Sequence, residues 1–157
     1  MNKEFKELLT GILIDPYLKK ITNVNVGTDY TLQDMYKHIG CSMVEVVSFG
    51  DANDLWVDEE GLLKRDQRFF KVHDLPFGHH GVIVGRALLL KCGDSGGCES
   101  TTLSIEDVLP RISWDFTHDG KVYSSETGLF TRVEVVRNGY KVESDIVDSI
   151  KSIHVIE

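Results

Sequence analysis

The ten-residue run from Gly81 to Leu90, GVIVGRALLL, is the feature that most constrains the fold of this 157-residue chain. Its residues are almost all apolar and several are β-branched, which predicts a strand buried on both faces. The run is too short to span a bilayer. Gly85 in its middle predicts a bulge or a close approach of another backbone. We therefore expect Gly81–Leu90 to form the central strand of a sheet.

Arg86 is the one charged residue of this run. Burying a guanidinium group is costly unless an anionic group pairs with it. One interpretation is a structural ion pair with Asp58, Glu59 or Glu45. The other is that Arg86 binds an anionic ligand. The sequence leaves both interpretations open.

Three histidines precede the run, at His73, His79 and His80. A loop with paired histidines at the entrance of a strand can hold a metal ion or a phosphate, or transfer a proton. Such a loop can equally be an ordinary exposed turn. The candidate ligand-binding residues are therefore Arg86, His79, His80 and His73. The sequence indicates no catalytic residue, no metal site and no cofactor.

Composition places the chain among globular domains, with 41% hydrophobic and 27% charged residues. The 17 Lys and Arg residues against 25 Asp and Glu residues give a net charge of −8, which argues against nucleic-acid binding. The N-terminal segment carries Glu4 and Glu7 at positions where a signal peptide needs an apolar core. We therefore expect neither export nor membrane insertion. Three cysteines, an odd number, favour reduced thiols in a cytoplasmic setting.

The periodicity of the chain predicts an α+β fold with a mostly antiparallel or mixed sheet, one or two helices on one face and a β-rich C-terminal extension. Residues 1–157 form a single domain, with a core of about 11–114 and an extension of about 115–157. Asn2–Leu9 is predicted to be a short amphipathic helix or a frayed end. Helices are predicted from Thr31 to Ile39, with a capping box of Thr31 and Asp34, and over Ile105–Leu109 behind Ser104. Strands are predicted over Ile12–Ile14, Ile21–Val26, Ser42–Phe49, Leu55–Val57, Leu62–Lys64, Phe69–Val72, Ile112–Phe116, Lys121–Tyr123, Leu129–Val136 and Tyr140–Val142.

Two motifs resemble functional sites, a serine-protease nucleophile segment and a zinc site, but neither has the sequence context that such a site needs. The segment Gly93-Asp94-Ser95-Gly96-Gly97 matches the nucleophile segment of chymotrypsin-like proteases. That mechanism also needs a histidine held by a buried aspartate and a two-barrel frame longer than this chain, so we interpret the segment as a surface loop. Cys92 and Cys98 with His79 and His80 could bind zinc, but the intervening strand separates the two pairs. We interpret both cysteines as loop thiols.

Four segments in order carry a family resemblance: Gly11–Pro16 with its Asp-Pro turn, the VEVV strand in Gly40–Val47, the DEEGLL hairpin in Asp54–Leu63, and the IVGxALLL strand in Gly81–Leu90. Together they resemble a family of small uncharacterised proteins common in bacteriophages and prophages. The resemblance covers about residues 11–110. It implies an accessory protein of a phage or mobile element, and it carries no catalytic residues.

Three functions remain. The preferred one is an accessory protein that acts by binding, for example by inhibiting a host defence or regulatory protein. The second is a small-molecule binding protein, such as a sponge for a nucleotide signal, that uses Arg86 and the loop of His79 and His80. The third is a metal-dependent hydrolase. Exposed strand edges make a homodimer a further expectation.

Overall fold

The computed structural model describes residues 8–28, 31–60, 68–78, 81–93, 97–118 and 121–124. These residues form a mostly antiparallel β structure with two short helices, as the predicted α+β class requires. The helices are α1 (Thr31–Ile39) and α2 (Ile105–Val108). The strands are β1 (Leu8–Asp15), β2 (Lys20–Gly27), β3 (Val44–Gly50), β4 (Asn53–Asp58), β5 (Phe69–Val72), β6 (Val82–Val84), β7 (Ala87–Cys92), β8 (Cys98–Glu99), β9 (Ile112–Ser113), β10 (Asp115–His118) and β11 (Lys121–Ser124).

The larger sheet has six strands, in the order β2-β1-β7-β4-β3 with β8 paired to the end of β7. All its pairings are antiparallel. Strand β7 is central, because Leu89 lies opposite Ile12 of β1 on one side and opposite Leu55 of β4 on the other. A smaller sheet of three strands has the order β6-β5-β9.

The apolar run is β structure, but the prediction of one continuous strand is wrong. Val82–Val84 belongs to the smaller sheet, and Ala87–Cys92 belongs to the larger one. The break is at Gly85, whose φ of 92° lies in the left-handed region that glycine adopts without strain. The predicted bulge or close backbone approach at Gly85 is instead the point where the chain passes from one sheet to the other.

Two apolar cores cover the two faces of the larger sheet. On one face, Ala87 and Leu89 of β7 pack with Phe70 and Ile83 of the smaller sheet. On the opposite face, Leu88 and Leu90 pack with residues of α1. Successive strand residues point to opposite faces, so a strand with α1 on one face and a second sheet on the other is apolar at every position. This explains why Ala87–Leu90 has no polar residue.

Helix α1 confirms the predicted helix, with Met35 and Ile39 buried at a spacing of one turn. The predicted capping box is wrong. Thr31 is the first helical residue and its hydroxyl donates to the Gly27 carbonyl oxygen at 2.8 Å, while the Asp34 carboxylate accepts from the Gly27 N–H at 2.8 Å. Both side chains therefore connect α1 back to the end of β2.

Helix α2 begins at the predicted cap. The Ser104 hydroxyl accepts a hydrogen bond from the Asp107 N–H at 3.2 Å, and the Asp107 carboxylate accepts from the Ser104 N–H at 2.9 Å. The bond from the Ser104 backbone, followed by the bond from its side chain, lowers the pKa of Asp107. Pro110 lies in a 3₁₀ turn that follows α2.

Other predicted boundaries change. Leu8 and Leu9 belong to β1, so the N-terminal helix is wrong for them, and its earlier residues lie outside the described ones. The tight turn after β3 is Asp51-Ala52, both at positive φ, which is the hairpin turn that matches strand twist. The predicted strands at 62–64, 129–136 and 140–142 lie outside the described residues.

The start of the predicted C-terminal extension is β structure, since β10 and β11 pair as an antiparallel hairpin. Among the described residues, no helix is long and apolar enough to cross a membrane.

Candidate functional site

The strand break places Arg86 beside the first turn of the chain. Ile14 lies opposite Ala87 in the pairing of β1 with β7, so Asp15 and Arg86 are the next residues in the same antiparallel register. The Arg86 Nε donates to the Asp15 Oδ2 at 3.1 Å. The side chains are 34% and 10% exposed. Arg86 thus has the structural ion pair that its position in an apolar run requires.

The predicted partners of that ion pair are wrong. The carboxylate that contacts Arg86 is Asp15, and neither Asp58, Glu59 nor Glu45. Burial, followed by the negative charge of Glu59, raises the pKa of Glu45, whereas a guanidinium partner would lower it. Asp15 takes the role because it lies opposite Arg86 across two paired strands.

Asp15 is held by the turn that it begins. Its Oδ1 accepts from the N–H groups of Tyr17 at 2.8 Å and of Leu18 at 3.3 Å, the bonds by which an aspartate stabilises a turn. With the bond from Arg86, the carboxylate has three donors. Asp15 is 7% exposed, so it is a buried and satisfied anion.

Two further contacts fix the guanidinium. Its central carbon lies 4.6 Å from the centroid of the Tyr17 ring, within the range of a cation–π interaction. Its Nη1 lies beside Gly40, which ends α1 at a φ of 81°; a Cβ placed there would be 3.2 Å from Nη1. The C-terminal end of a helix carries partial negative charge, so it favours a cation at this position.

These contacts leave the outer end of Arg86 available. Over the described ranges, neither Nη1 nor Nη2 has a hydrogen-bond acceptor. Each of these groups donates two hydrogen bonds in the plane of the guanidinium, the geometry that suits a carboxylate or a phosphate. We refer to Arg86 with Asp15, Tyr17 and Gly40 as the Arg86 site, and its chemistry is that of a fixed cationic donor for an anionic group.

His73 lies elsewhere. It follows β5, its Nε2 is 2.7 Å from the Ser113 Oγ, and its N–H donates to the Arg111 carbonyl oxygen at 2.8 Å. Because β5 and β6 are antiparallel, with Lys71 opposite Val82, His73 lies beyond the start of β6, while Arg86 follows its end. The structure therefore does not bring His73 next to Arg86. His79 and His80 lie outside the described residues.

The predicted loop thiols are placed differently. Cys92 ends β7 and Cys98 begins β8, where the two residues lie opposite each other. Both are unbridged. No cluster of three or more His, Cys, Asp or Glu residues with the geometry to hold a metal ion occurs in the parts of the chain that are described.

Tyr17 and Gly40 are the members of the Arg86 site that sequence patterns do not reveal. The sequence indicates that Asp15-Pro16-Tyr17 forms a turn. No local sequence pattern indicates that this turn lies against Arg86, which is 71 residues from Asp15 along the chain. Only the pairing of β1 with β7 brings the two together. A search for a carboxylate at the end of each strand that can flank β7 would have found Asp15.

The fold and the site define an α+β domain with a fixed, partly exposed arginine at the junction of its six-stranded and three-stranded sheets. The chain belongs to the family DUF3846, a domain of unknown function, whose model matches residues 9–113. The predicted membership of an uncharacterised family is confirmed in this form. No curated protein and no solved structure matches the chain.

Proposed function

We propose that this protein acts by binding, and that the Arg86 site binds the phosphate of a small phosphorylated ligand such as a nucleotide. The observation that carries the proposal is the fixed guanidinium whose two terminal amino groups have no acceptor among the described residues. A side chain that is already ordered loses little further entropy on binding, so its hydrogen bonds contribute more to affinity.

The charge of the chain supports a small ligand. A net charge of −8 repels a long polyanion at every approach, whereas a small phosphate ester meets only its own site. The same site offers little for catalysis, because the Asp15 carboxylate already accepts from three donors that hold it in the turn and against Arg86.

A ligand panel tests this proposal. We would record thermal unfolding with adenosine, AMP, ADP, ATP, the guanosine equivalents and inorganic phosphate. A ligand at a hundredfold excess over its dissociation constant stabilises the folded protein by about 2.7 kcal/mol. We expect a shift with at least one nucleotide and none with the nucleosides, since the nucleosides lack the phosphate.

Variants assign the effect to the site. Arg86→Met should weaken binding at least about tenfold, or about 1.4 kcal/mol. Arg86→Lys keeps the charge but loses the planar fork, so its affinity should lie between the two. Lys37→Met is the control, because Lys37 is exposed on α1 and the variant has the same net charge as Arg86→Met. Equal binding by the Arg86→Met and Lys37→Met variants, or no shift with any ligand, would contradict the proposal.

A second candidate is the binding of a protein, in the predicted role of a phage or mobile-element factor that inhibits a host protein. The observation that favours it is the outer edge of β3, which pairs with no other described strand. At its Phe49 end this edge is covered, because the Arg111 Nη2 donates to the Phe49 carbonyl oxygen at 3.0 Å. Near its start, Met43 is 46% and Val46 48% exposed. An open edge with exposed apolar side chains can accept a further strand.

Replacing Val46 with lysine tests this second candidate, because a charge on an edge strand opposes strand addition. We expect the unaltered protein to retain a partner from lysate of its host through gel filtration, and the Val46→Lys variant to lose it. Leu18→Lys, at a residue that is 65% exposed in the turn after β1, is the control. A homodimer that dissociates only in the Val46→Lys variant would assign the edge to self-association instead. Retention of the partner by the Val46→Lys variant would show that the outer edge of β3 does not bind it.

A further inference from the structure

Two of the three cysteines face each other across paired strands. Cys92 of β7 and Cys98 of β8 are register partners, and Lys91 and Glu99 form the adjacent pair. Directly opposite residues of an antiparallel pair project from the same face of the sheet. The two thiols therefore share a face, and the ion pair of Lys91 with Glu99, at 3.3 Å, lies on the other.

The hydrogen bonds show which kind of pair the cysteines form. The Gly93 N–H donates to the Gly97 carbonyl oxygen at 2.6 Å, so that pair is hydrogen-bonded. The Cys92 N–H points the opposite way and donates to the Ala52 carbonyl oxygen at 2.7 Å. Hydrogen-bonded and non-hydrogen-bonded pairs alternate along an antiparallel ladder, so Cys92 and Cys98 form a non-hydrogen-bonded pair.

This geometry suits a disulfide. Non-hydrogen-bonded pairs have a Cα separation of about 4.5 Å. Disulfides require roughly 4.4–6.8 Å, with the two Cβ atoms directed towards each other. The register places Cys92 and Cys98 directly opposite each other on one face, and the Cα separation typical of such a pair falls within the range that a disulfide requires.

The two thiols have different surroundings. Cys92 is exposed, whereas Cys98 packs at the margin of the core beneath α1. Burial, followed by the negative charge of Asp54 and then Cys92, raises the pKa of Cys98. Asp54 lies opposite Leu90, two residues from Cys92, and therefore on the same face. Cys98 is thus harder to deprotonate than an ordinary cysteine thiol, and Cys92 is the exposed sulfur that a reagent reaches first.

We propose that Cys92 and Cys98 form a redox-modification site that is oxidised to an intramolecular disulfide by a small disulfide such as oxidised glutathione. The Cys92 thiolate attacks one glutathione sulfur and releases the first glutathione as its thiolate. Cys98 then loses its proton to water and attacks the Cys92 sulfur, releasing the second glutathione. The protein loses two electrons and two protons, and one glutathione disulfide becomes two glutathione thiols.

The disulfide would secure the weakest pairing of the larger sheet. Strand β8 is two residues long, and the ion pair that joins it to β7 is partly exposed, with Glu99 52% accessible. A covalent link at Cys92 would hold β8 in place independently of that ion pair. The proposal does not depend on the Arg86 site.

The test is equilibration of the full-length protein in buffers with increasing ratios of oxidised to reduced glutathione, followed by alkylation and peptide mass mapping. We expect the tryptic peptide of residues 92–111, which holds both cysteines, to carry no alkyl group and to have a mass lower by two hydrogen atoms than its reduced form. The folded protein should favour this disulfide at least tenfold over the same chain in guanidinium chloride, because the sheet aligns the two thiols. Equal disulfide yields in the folded and the denatured chain would overturn the proposal.

Variants separate this site from general thiol reactivity. Cys41→Ser should leave the Cys92–Cys98 disulfide unchanged, whereas Cys98→Ser should stop at a glutathione adduct on Cys92. Asp54→Asn removes a negative charge that disfavours the Cys98 thiolate, so it should speed the second step several-fold. A glutathione adduct that persists on Cys92 in the unaltered folded protein would also overturn the proposal.

Discussion

Replacing Gly81 with alanine is expected to lower the free energy of unfolding by about 2–5 kcal/mol, through two separate causes. The φ of Gly81 is 86°, where an alanine is strained by about 1–2 kcal/mol. A Cβ there would also overlap the carbonyl oxygen of Val72, whose N–H donates to the Gly81 carbonyl oxygen at 2.7 Å. Relieving that overlap requires β5 and β6 to separate, which adds about 1–3 kcal/mol.

Two other glycines provide matched controls for urea denaturation. Gly85 has a similar φ of 92°, but its Cβ would come no closer than 3.9 Å to Asp58, so Gly85→Ala should cost only the strain of about 1–2 kcal/mol. No atom of the described residues lies within 4 Å of a Cβ at Gly97, so Gly97→Ala should change stability by less than about 0.5 kcal/mol. Equal losses for Gly81→Ala and Gly85→Ala would show that the overlap with Val72 is relieved at no cost.

Replacing Asn53 with alanine should lower the free energy of unfolding by about 3 kcal/mol, at about 1 kcal/mol for each of three hydrogen bonds. Asn53 is 1% exposed at the start of β4. Its amide donates to the Asp51 carbonyl oxygen at 2.9 Å and to the Thr102 Oγ1 at 3.1 Å, and its Oδ1 accepts from the Thr101 hydroxyl at 2.6 Å. The amide thus holds the β3–β4 turn against the segment that follows β8.

The control for this prediction is Asn23→Ala, because Asn23 is exposed on β2 and the variant should be within about 0.5 kcal/mol of the unaltered protein. Thr101→Val removes one of the three bonds and also the bond that the Thr101 Oγ1 accepts from the Leu103 N–H at 3.2 Å, so it should cost about 2 kcal/mol, at about 1 kcal/mol for each bond. Urea denaturation at 25 °C measures all three variants, with an unchanged dependence on urea if the folded state keeps its compactness. An Asn53→Ala variant as stable as Asn23→Ala would mean that the buried amide contributes nothing to the fold.

The local elements of this fold could be read from the sequence wherever apolar periodicity was strong. Strand β2, helix α1, strand β5 and the Ser104 cap lie where the pattern predicts them, whereas β1 begins at Leu8, inside the predicted N-terminal helix. The apolar periodicity did not indicate to which sheet each strand belongs. Val82–Val84 and Ala87–Leu90 are equally apolar, and the break between them is at Gly85, whose φ is positive.

The candidate site was less predictable, because its contacts are long-range. Arg86 was identified from the cost of burying a charge, which is a local argument. Its partner Asp15 follows from the pairing of β1 with β7, which no local signal encodes. Likewise, the segment from Gly93 to Glu99 reads as a loop because a two-residue strand beside glycines shows no alternation, and the pairing of β8 with β7 is what aligns the two thiols.

The passage of the chain through Gly85 has a mechanical consequence. Strands β6 and β7 belong to different sheets, and only Gly85 and Arg86 connect them. Separating the three-stranded sheet from the six-stranded sheet therefore displaces β7, the central strand of the larger sheet. The three-stranded and six-stranded sheets should therefore unfold together in one cooperative transition, and the smaller sheet should not unfold first while the larger one stays folded.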